Sequence, residues 1–180
     1  MTKCAVMALS GGMDSTGLLM HLLADGHQVH ALSYDYGQKH SLELDRAKAN
    51  INYLKSKGIT VSHKIVDLRS AMSVFHSALI DDSMDIPEGH YEEEQMKQTV
   101  VPNRNAIFSS VLYGYALSIA LKKDQDVKIA LGVHSGDHEI YPDCRPEFYG
   151  ALENAFQIGN WSSDKVLFYL PYIGGNKETI

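Results

Sequence analysis

Cysteine is scarce: Cys4 and Cys144 are the only two in 180 residues. That is too few for a disulfide scaffold or for a four-ligand zinc site. One falls in an apolar run and the other in a polar loop, which fits reduced thiols in a cytoplasm. No stretch approaches the roughly 18 consecutive apolar residues of a membrane span. The opening MTKCAVMALS lacks the positive cluster and the cleavage-type ending of a secretory leader. Basic residues are outnumbered, 16 against 22 acidic, for a net charge of −6, so no broad electrostatic footprint for nucleic acid is expected. Internal repeats and low-complexity tracts are absent as well. What is present is ordinary for a soluble globular protein, with 44% hydrophobic and 21% charged residues. The length suits one domain over 1–180, and the acidic balance favours a small-molecule substrate.

The apolar pattern alternates between two periods. KCAVMALS reads as a buried strand ended by Gly-Gly, and Leu18, Leu19, Leu22 and Leu23 then fall at helical spacing. QVHALSYDYG is a second strand, SLELDRAKANINYLKSKG the clearest helix, and ITVSHKIVDL a third strand. After a polar, acidic insertion near 81–98, RNAIFSSVLYGYALSIALKK resumes as a helix. VKIALGV then reads as a strand, RPEFYGALENAFQIG as a helix and KVLFYLPYIGG as a last strand. Such alternation with short connections predicts an α/β fold, a doubly wound parallel sheet covered by helices on both faces. The closing GGNKETI reads as a turn, an Asn176 cap and the opening of a helix, so the chain is expected to be a portion of a longer one.

Between the first strand and the first helix stands SGGMDS, Ser10 to Ser15. A strand, a glycine turn and a helix start aim backbone amides and the positive helix end at one point, which suits an anion. Ser10 and Ser15 add hydroxyl donors, while Asp14 can hold Mg²⁺ or fix the loop through its own hydrogen bonds. No Lys follows the glycines, which excludes the Walker pattern, and the dinucleotide fingerprint G-x-G-x-x-G is absent. The plainer alternative is that Gly11 and Gly12 merely turn a strand into a helix, capped by Ser and Asp.

A second concentration of polar groups, GVHSGDHEIYPDCRPEFY, follows the strand VKIALGV, where open α/β sheets place their ligands. Asp137, His138, Glu139, Asp143 and Arg145 fall within this loop. His134 and His138 could share a metal only on a helix, against which Gly136 and the loop context speak, and no metal-ligating set is assigned. The alternative for the loop is structural: Asp137 capping a turn, the prolines setting the path, Arg145 solvated. In VPNRNAIFSS, Arg104 opens a helix and can fork onto a phosphate or carboxylate, or be satisfied by a nearby acid.

S-G-G-x-D-S resembles the pyrophosphatase loop (PP-loop) of ATP-cleaving enzymes that release AMP and pyrophosphate, whose fold is Rossmann-like, of the adenine nucleotide alpha hydrolase kind. Taken with YDYGQKHSLELDRA, VPNRNAIFSS, GVHSGDHEIYPDCRPEFY and PYIGGNKETI, the whole chain resembles the 7-cyano-7-deazaguanine synthase (QueC) family of the queuosine pathway. The resemblance implies an ATP-dependent carbon–nitrogen ligase, a cytoplasmic homodimer, converting 7-carboxy-7-deazaguanine and ammonia into the nitrile through adenylated intermediates. It implies that Leu9, Ser10, Gly11, Gly12, Met13, Asp14, Ser15, Thr16, Gly17, Leu18 and Leu19 form the ATP loop, with Mg²⁺ at Asp14. Tyr34, Gln38, Lys39 and His40 would line the nucleotide or substrate pocket. Lys177 would reach the phosphates unless it is simply an exposed lysine. Asp14, Arg104, Asp137, Asp143 and Arg145 are the candidates for catalytic and substrate contacts. Cys144 is read as a packing or loop cysteine, because adenylation needs no covalent nucleophile. Family members continue through a helix and a four-cysteine zinc cluster, so zinc is expected with ligands outside this chain. The alternatives are a related amide-forming ligase, a tRNA-modifying sulfurtransferase, or a nucleotide-binding module without catalysis.

Overall fold

The structure, a computed structural model, describes residues 3–39, 42–77, 80, 100–134 and 141–175. Along them run β1 (Cys4–Ala8), α1 (Met13–Ala24), β2 (Gln28–Asp35), α2 (Leu42–Ser56), β3 (Ser62–Asp67) and α3 (Arg69–Met72). Then come α4 (Arg104–Lys123), β4 (Val127–Ala130), α5 (Pro146–Gly159) and β5 (Val166–Tyr169), with 3-10 turns at Pro142–Cys144 and Ser163–Lys165. The five strands are all parallel in the order β3-β2-β1-β4-β5. The first strand therefore lies in the middle. The order in which strands are added across the sheet reverses between β1 and β4, and that switch point opens a crevice at their carboxyl ends.

The continuous apolar run of β1 follows from its position. Ala5 and Met7 point to one face, where they meet Leu18, Leu19 and Leu22 of α1 and Ala47 and Leu54 of α2. Cys4 and Val6 point to the other, against Leu112, Ala116 and Ile119 of α4. With both faces covered, no polar alternation survives. Full burial of a side chain such as Leu22 contributes about 1.5–3 kcal/mol. At the β5 edge of the sheet, Glu153 of α5 accepts the Phe168 amide at 2.8 Å, so a side chain takes up a donor that a further strand would otherwise use.

Three details differ from the expected pattern. α1 starts at Met13, before the first apolar repeat, because the glycine turn has already brought the chain into line. A one-turn α3 follows β3, and Asp67, at the end of the strand, accepts the Arg69 amide at 3.0 Å. β5 ends at Tyr169, and the expected extension through PYIGG instead turns, with Gly175 N–H donating to Tyr172 O at 2.9 Å. Pro171 has no amide to continue a ladder. The insertion near 81–98 and the Asn176 cap lie outside the described residues. Among the described residues no helix is long and apolar enough to cross a membrane.

Burial lowers the pKa of His27, His30 and His63 below the ordinary 6.5, reinforced by nearby lysines. His63 Nε2 is also tied to Ser33 Oγ at 2.8 Å. A depressed histidine stabilises the fold above its unfolded pKa, and that contribution is lost as protons force the charge inside. The melting temperature is therefore expected to fall on acidification from about pH 7 towards pH 5. Calorimetry of the protein and of His27→Gln, which should show a shallower decline, checks this.

Candidate functional site

The bend after β1 depends on one backbone conformation. Gly11 has φ +81°, and a Cβ there would lie 2.5 Å from Ala47 N and 2.6 Å from Glu43 O of α2. Only glycine lets the turn press this close. The loop is then laced by its own serines. Ser10 Oγ and Ser15 Oγ are 3.0 Å apart, Ser10 N–H donates to Ser15 Oγ at 3.2 Å, and Gly12 N–H donates to Ser10 Oγ at 3.2 Å. Gly12 is extended and α1 opens at once, so its first-turn amides, which have no carbonyl one turn earlier, face the crevice.

Asp14 sits in that first turn, under the end of β4. Gly132 abuts it: a Cβ on Gly132 would come within 3.1 Å of Asp14 O. Two residues on, the buried His134 places Nε2 3.5 Å from Asp14 Oδ2, an ion-pair separation that is long for a hydrogen bond. The other carboxylate oxygen, Oδ1, is enclosed and has no hydrogen-bond partner among the described residues.

A cavity of about 290 Å³ runs from this cradle across the sheet's carboxyl edge. Its walls include Ser10, Asp14 and Ser15 of the cradle, the carboxylate Glu43 of α2, and Tyr34, Tyr36, Arg104, Asn105, Phe108, Ser109, Cys144 and Tyr149. Arg104, Asn105, Phe108 and Ser109 are one face of the first turns of α4. Tyr34 stacks on Phe108, ring centroids 4.1 Å apart, and its hydroxyl donates to Phe108 O at 2.9 Å. Burial pushes the Tyr34, Tyr36 and Tyr149 hydroxyls up in pKa, so they stay neutral at physiological pH. Arg104 is half-buried and hydrogen-bonds Tyr36. Burial opposes its charge, but the pull of Tyr36, Asp143 and Tyr141 outweighs burial and holds its pKa above the ordinary arginine value. A fixed cation in a partly apolar recess suits a carboxylate or phosphate oxygen.

The expected site residues are distributed unevenly. Leu9, Ser10, Asp14, Ser15, Tyr34, Gln38 and Arg104 line the common cavity. Leu18 and Leu19 belong to the core, and Met13 is exposed. Thr16 faces α2, accepting from Asn50 Nδ2 at 2.9 Å. Gly17 lies farther along α1, and neither it nor Lys39 is part of the cavity wall. Gln38 shapes the loop: its Oε1 accepts Tyr36 N–H at 2.9 Å and its Nε2 donates to Tyr34 O at 3.0 Å. Asp143 lies in the 3-10 turn, within electrostatic reach of Arg104, whereas Arg145 is exposed at the head of α5. His40, Asp137 and Lys177 lie outside the described residues, as does His138. Cys144, read as a loop cysteine, is buried and forms part of the cavity wall, accepting from Asn105 Nδ2 at 3.8 Å. Tyr36, Asn105, Phe108, Ser109 and Tyr149 were not anticipated. The i, i+1, i+4, i+5 spacing from Arg104 would have found the three on α4.

Among the described residues no three His, Cys, Asp or Glu side chains gather into a metal-holding group. No zinc set is present there. Asp14 fits a different use. Mg²⁺ beside a polyphosphate is commonly held by one or two carboxylates, and Asp14, part-exposed on the cavity wall, is such a group.

A family model described as "Queuosine biosynthesis protein QueC" matches residues 4–180. A protein of Pseudoalteromonas translucida named 7-cyano-7-deazaguanine synthase is 45% identical over 180 residues, 100% of this chain and 77% of that protein. One of the same name from Caldicellulosiruptor saccharolyticus is 44% identical over 176 residues, 98% of this chain and 73% of that one. A solved structure from Methanocaldococcus jannaschii, described as a predicted subunit of tRNA methyltransferase, overlays with a TM-score of 0.56 at 15% identity. That overlay covers 98% of this chain and 71% of the other, and shows a shared fold.

Proposed function

Since the chain belongs to the queuosine biosynthesis protein QueC family, we propose that it is an ATP-dependent ligase making 7-cyano-7-deazaguanine from 7-carboxy-7-deazaguanine and ammonia. The observation that carries this reading is a cavity whose lining holds both the Ser10, Asp14 and Ser15 cradle and Arg104. One part suits a triphosphate and the other an anionic aromatic acid, so the acid's oxygen can meet the α-phosphorus.

A carboxylate oxygen is a poor leaving group until it is adenylated. In the proposed sequence the substrate carboxylate displaces pyrophosphate from ATP, and ammonia then displaces AMP to give the amide. The amide oxygen then displaces pyrophosphate from a second ATP with loss of one N–H proton, and departure of AMP with the remaining N–H proton leaves the nitrile. The protein's share is positioning and charge neutralisation. The first-turn amides of α1 hold the departing pyrophosphate, and Ser10 and Ser15 keep the loop in shape. Arg104 orients the carboxylate, with Asp143 balancing its charge and the aromatic walls excluding water. Mg²⁺, when bound at Asp14, neutralises phosphate charge. We propose further that the chain is one PP-loop domain acting in the cytoplasm as a homodimer, and that Asp137, Arg145, Lys39, His40 and Lys177 complete the site.

Mass spectrometry after incubation with Mg·ATP, ammonia and the carboxylic acid tests the reading. Nitrile with AMP is the expected result. Amide alone makes the protein an amide-forming ligase, and ATP binding without AMP makes it a binding module.

A further inference from the structure

Two observations place Glu43, in the first turn of α2, between the cradle and Arg104. Its backbone presses on the cradle, since a Cβ on Gly11 would lie 2.6 Å from Glu43 O. Its carboxylate is within electrostatic reach of Tyr36. Burial pushes the Tyr36 hydroxyl up in pKa, Arg104 pulls it down, and Glu43 adds to the upward push. Arg104 donates a hydrogen bond to that same hydroxyl. The Glu43 side chain is half-buried and lines the cavity, so it meets what fills the space between the loop and Arg104. Charge makes this position costly. Among the described residues of the lining, Asp14 and Glu43 are acidic and Arg104 alone is basic. A triphosphate and an anionic acid add further negative charge, and a carboxylate between them is repelled by both unless a cation stands there.

Resting on the reaction proposed above, we infer that Glu43 is a catalytic residue that binds ammonium and takes its proton. That reaction needs such a group. At neutral pH ammonia in water is almost wholly ammonium, whose nitrogen has no lone pair with which to attack. A carboxylate draws the cation into an otherwise anionic site and accepts the proton there, and the phosphate charge beside it favours the protonated carboxyl. The freed lone pair forms the C–N bond to the acyl carbon, and the C–O bond to AMP breaks with its electrons going to the AMP phosphate. The surplus N–H proton leaves on that phosphate, and Glu43 returns its own proton to water. An acid in the first turn of a helix also has a structural use against the helix dipole. Asp45, exposed in the same turn, has that use without lining the cavity, and so supplies the control.

Glu43→Gln keeps the shape of the side chain and removes its charge and basicity. Acid-dependent exchange of labelled pyrophosphate into ATP reads adenylation without ammonia. Mass spectrometry then reads amide and nitrile formed with ammonium, and hydroxamic acid formed with hydroxylamine, which is largely uncharged at neutral pH and attacks without first losing a proton. In Glu43→Gln, exchange should stay within about threefold of the parent while kcat/KM for ammonium falls about 10²–10³-fold. With hydroxylamine the loss should be no more than about tenfold. Asp45→Asn should leave all three rates within about twofold of the parent. A fall in exchange as large as the fall with ammonium overturns the inference and moves Glu43 to the nucleotide or the acid. Equal losses with both nucleophiles overturn it, as does an unaltered rate with ammonium or an Asp45→Asn effect as large as that of Glu43→Gln. A parent that shows no acid-dependent exchange, or no amide or nitrile, overturns the proposed reaction and this role together; in a parent that shows both, the outcomes above overturn the role alone.

Discussion

Gly11→Ala is expected to remove Mg·ATP binding and to lower the melting temperature by about 10 °C. Two costs combine. An alanine at φ +81° occupies the left-handed region, at about 1–2 kcal/mol. Its Cβ would also overlap the backbone of α2 at Ala47 N and Glu43 O, 2.5 and 2.6 Å away, with Arg46 Cβ at 2.9 Å. Backbone cannot rotate aside as a side chain can, so the loop or α2 must shift, at a further 1–3 kcal/mol or so. A shift of the loop moves the amides that face the crevice, and anion binding depends on their convergence. Gly12→Ala is the control. Gly12 is extended, and among the described residues the one neighbour its Cβ would crowd is the Ser10 hydroxyl, at 3.3 Å. Its melting temperature should stay within a few degrees of the parent. Differential scanning calorimetry and nucleotide titration of both variants check this; equal losses would show that loop composition matters here and not the Gly11 conformation.

The contrast between these glycines also shows where sequence reading stops. Ser-Gly-Gly after an apolar run announces a turn, but the sequence of the loop does not say which glycine meets α2, because Glu43 and Ala47 are brought there by tertiary packing. The layers were legible for a related reason. β1 is apolar at successive positions, and that pattern needs helices on both faces. The order of strands was not, since a period of two records the faces of a strand and nothing of its neighbours. The site divided in the same way. Ser10, Asp14 and Ser15 stand out as polar residues where an apolar strand ends, and Arg104 as a charge heading an apolar helix. Phe108 and Ser109 look like core in sequence and become cavity wall only because the first turns of α4 overhang the crevice. Gln38 shows a second use that its position after a strand end does not reveal: it lines the cavity, and its amide also closes the loop that carries it. α3 was missed because its start signal is the Asp67 side chain, one residue inside what reads as a strand.

Arg104→Met should lower kcat/KM for the carboxylic acid by about 10²–10³ while leaving Mg·ATP affinity within about threefold. The guanidinium lies in the aromatic part of the cavity, hydrogen-bonded to Tyr36 and balanced by Asp143. In a recess walled by Tyr34, Tyr36, Phe108 and Tyr149, a substrate carboxylate that loses this partner is left desolvated and uncompensated, which is the costly way to remove a charge pair. Methionine keeps much of the side-chain volume, so the fold should pay mainly for the Tyr36 hydroxyl left without its donor, about 1–3 kcal/mol. Arg104→Lys separates charge from geometry. It retains the positive charge but not the planar fork, and should recover affinity for the acid only in part, to about a tenfold deficit in kcat/KM. The measurement is steady-state kinetics in each substrate beside nucleotide titration. A loss of Mg·ATP affinity as large as the loss in kcat/KM would move Arg104 from the acid to the triphosphate and reverse the assignment of the two parts of the cavity.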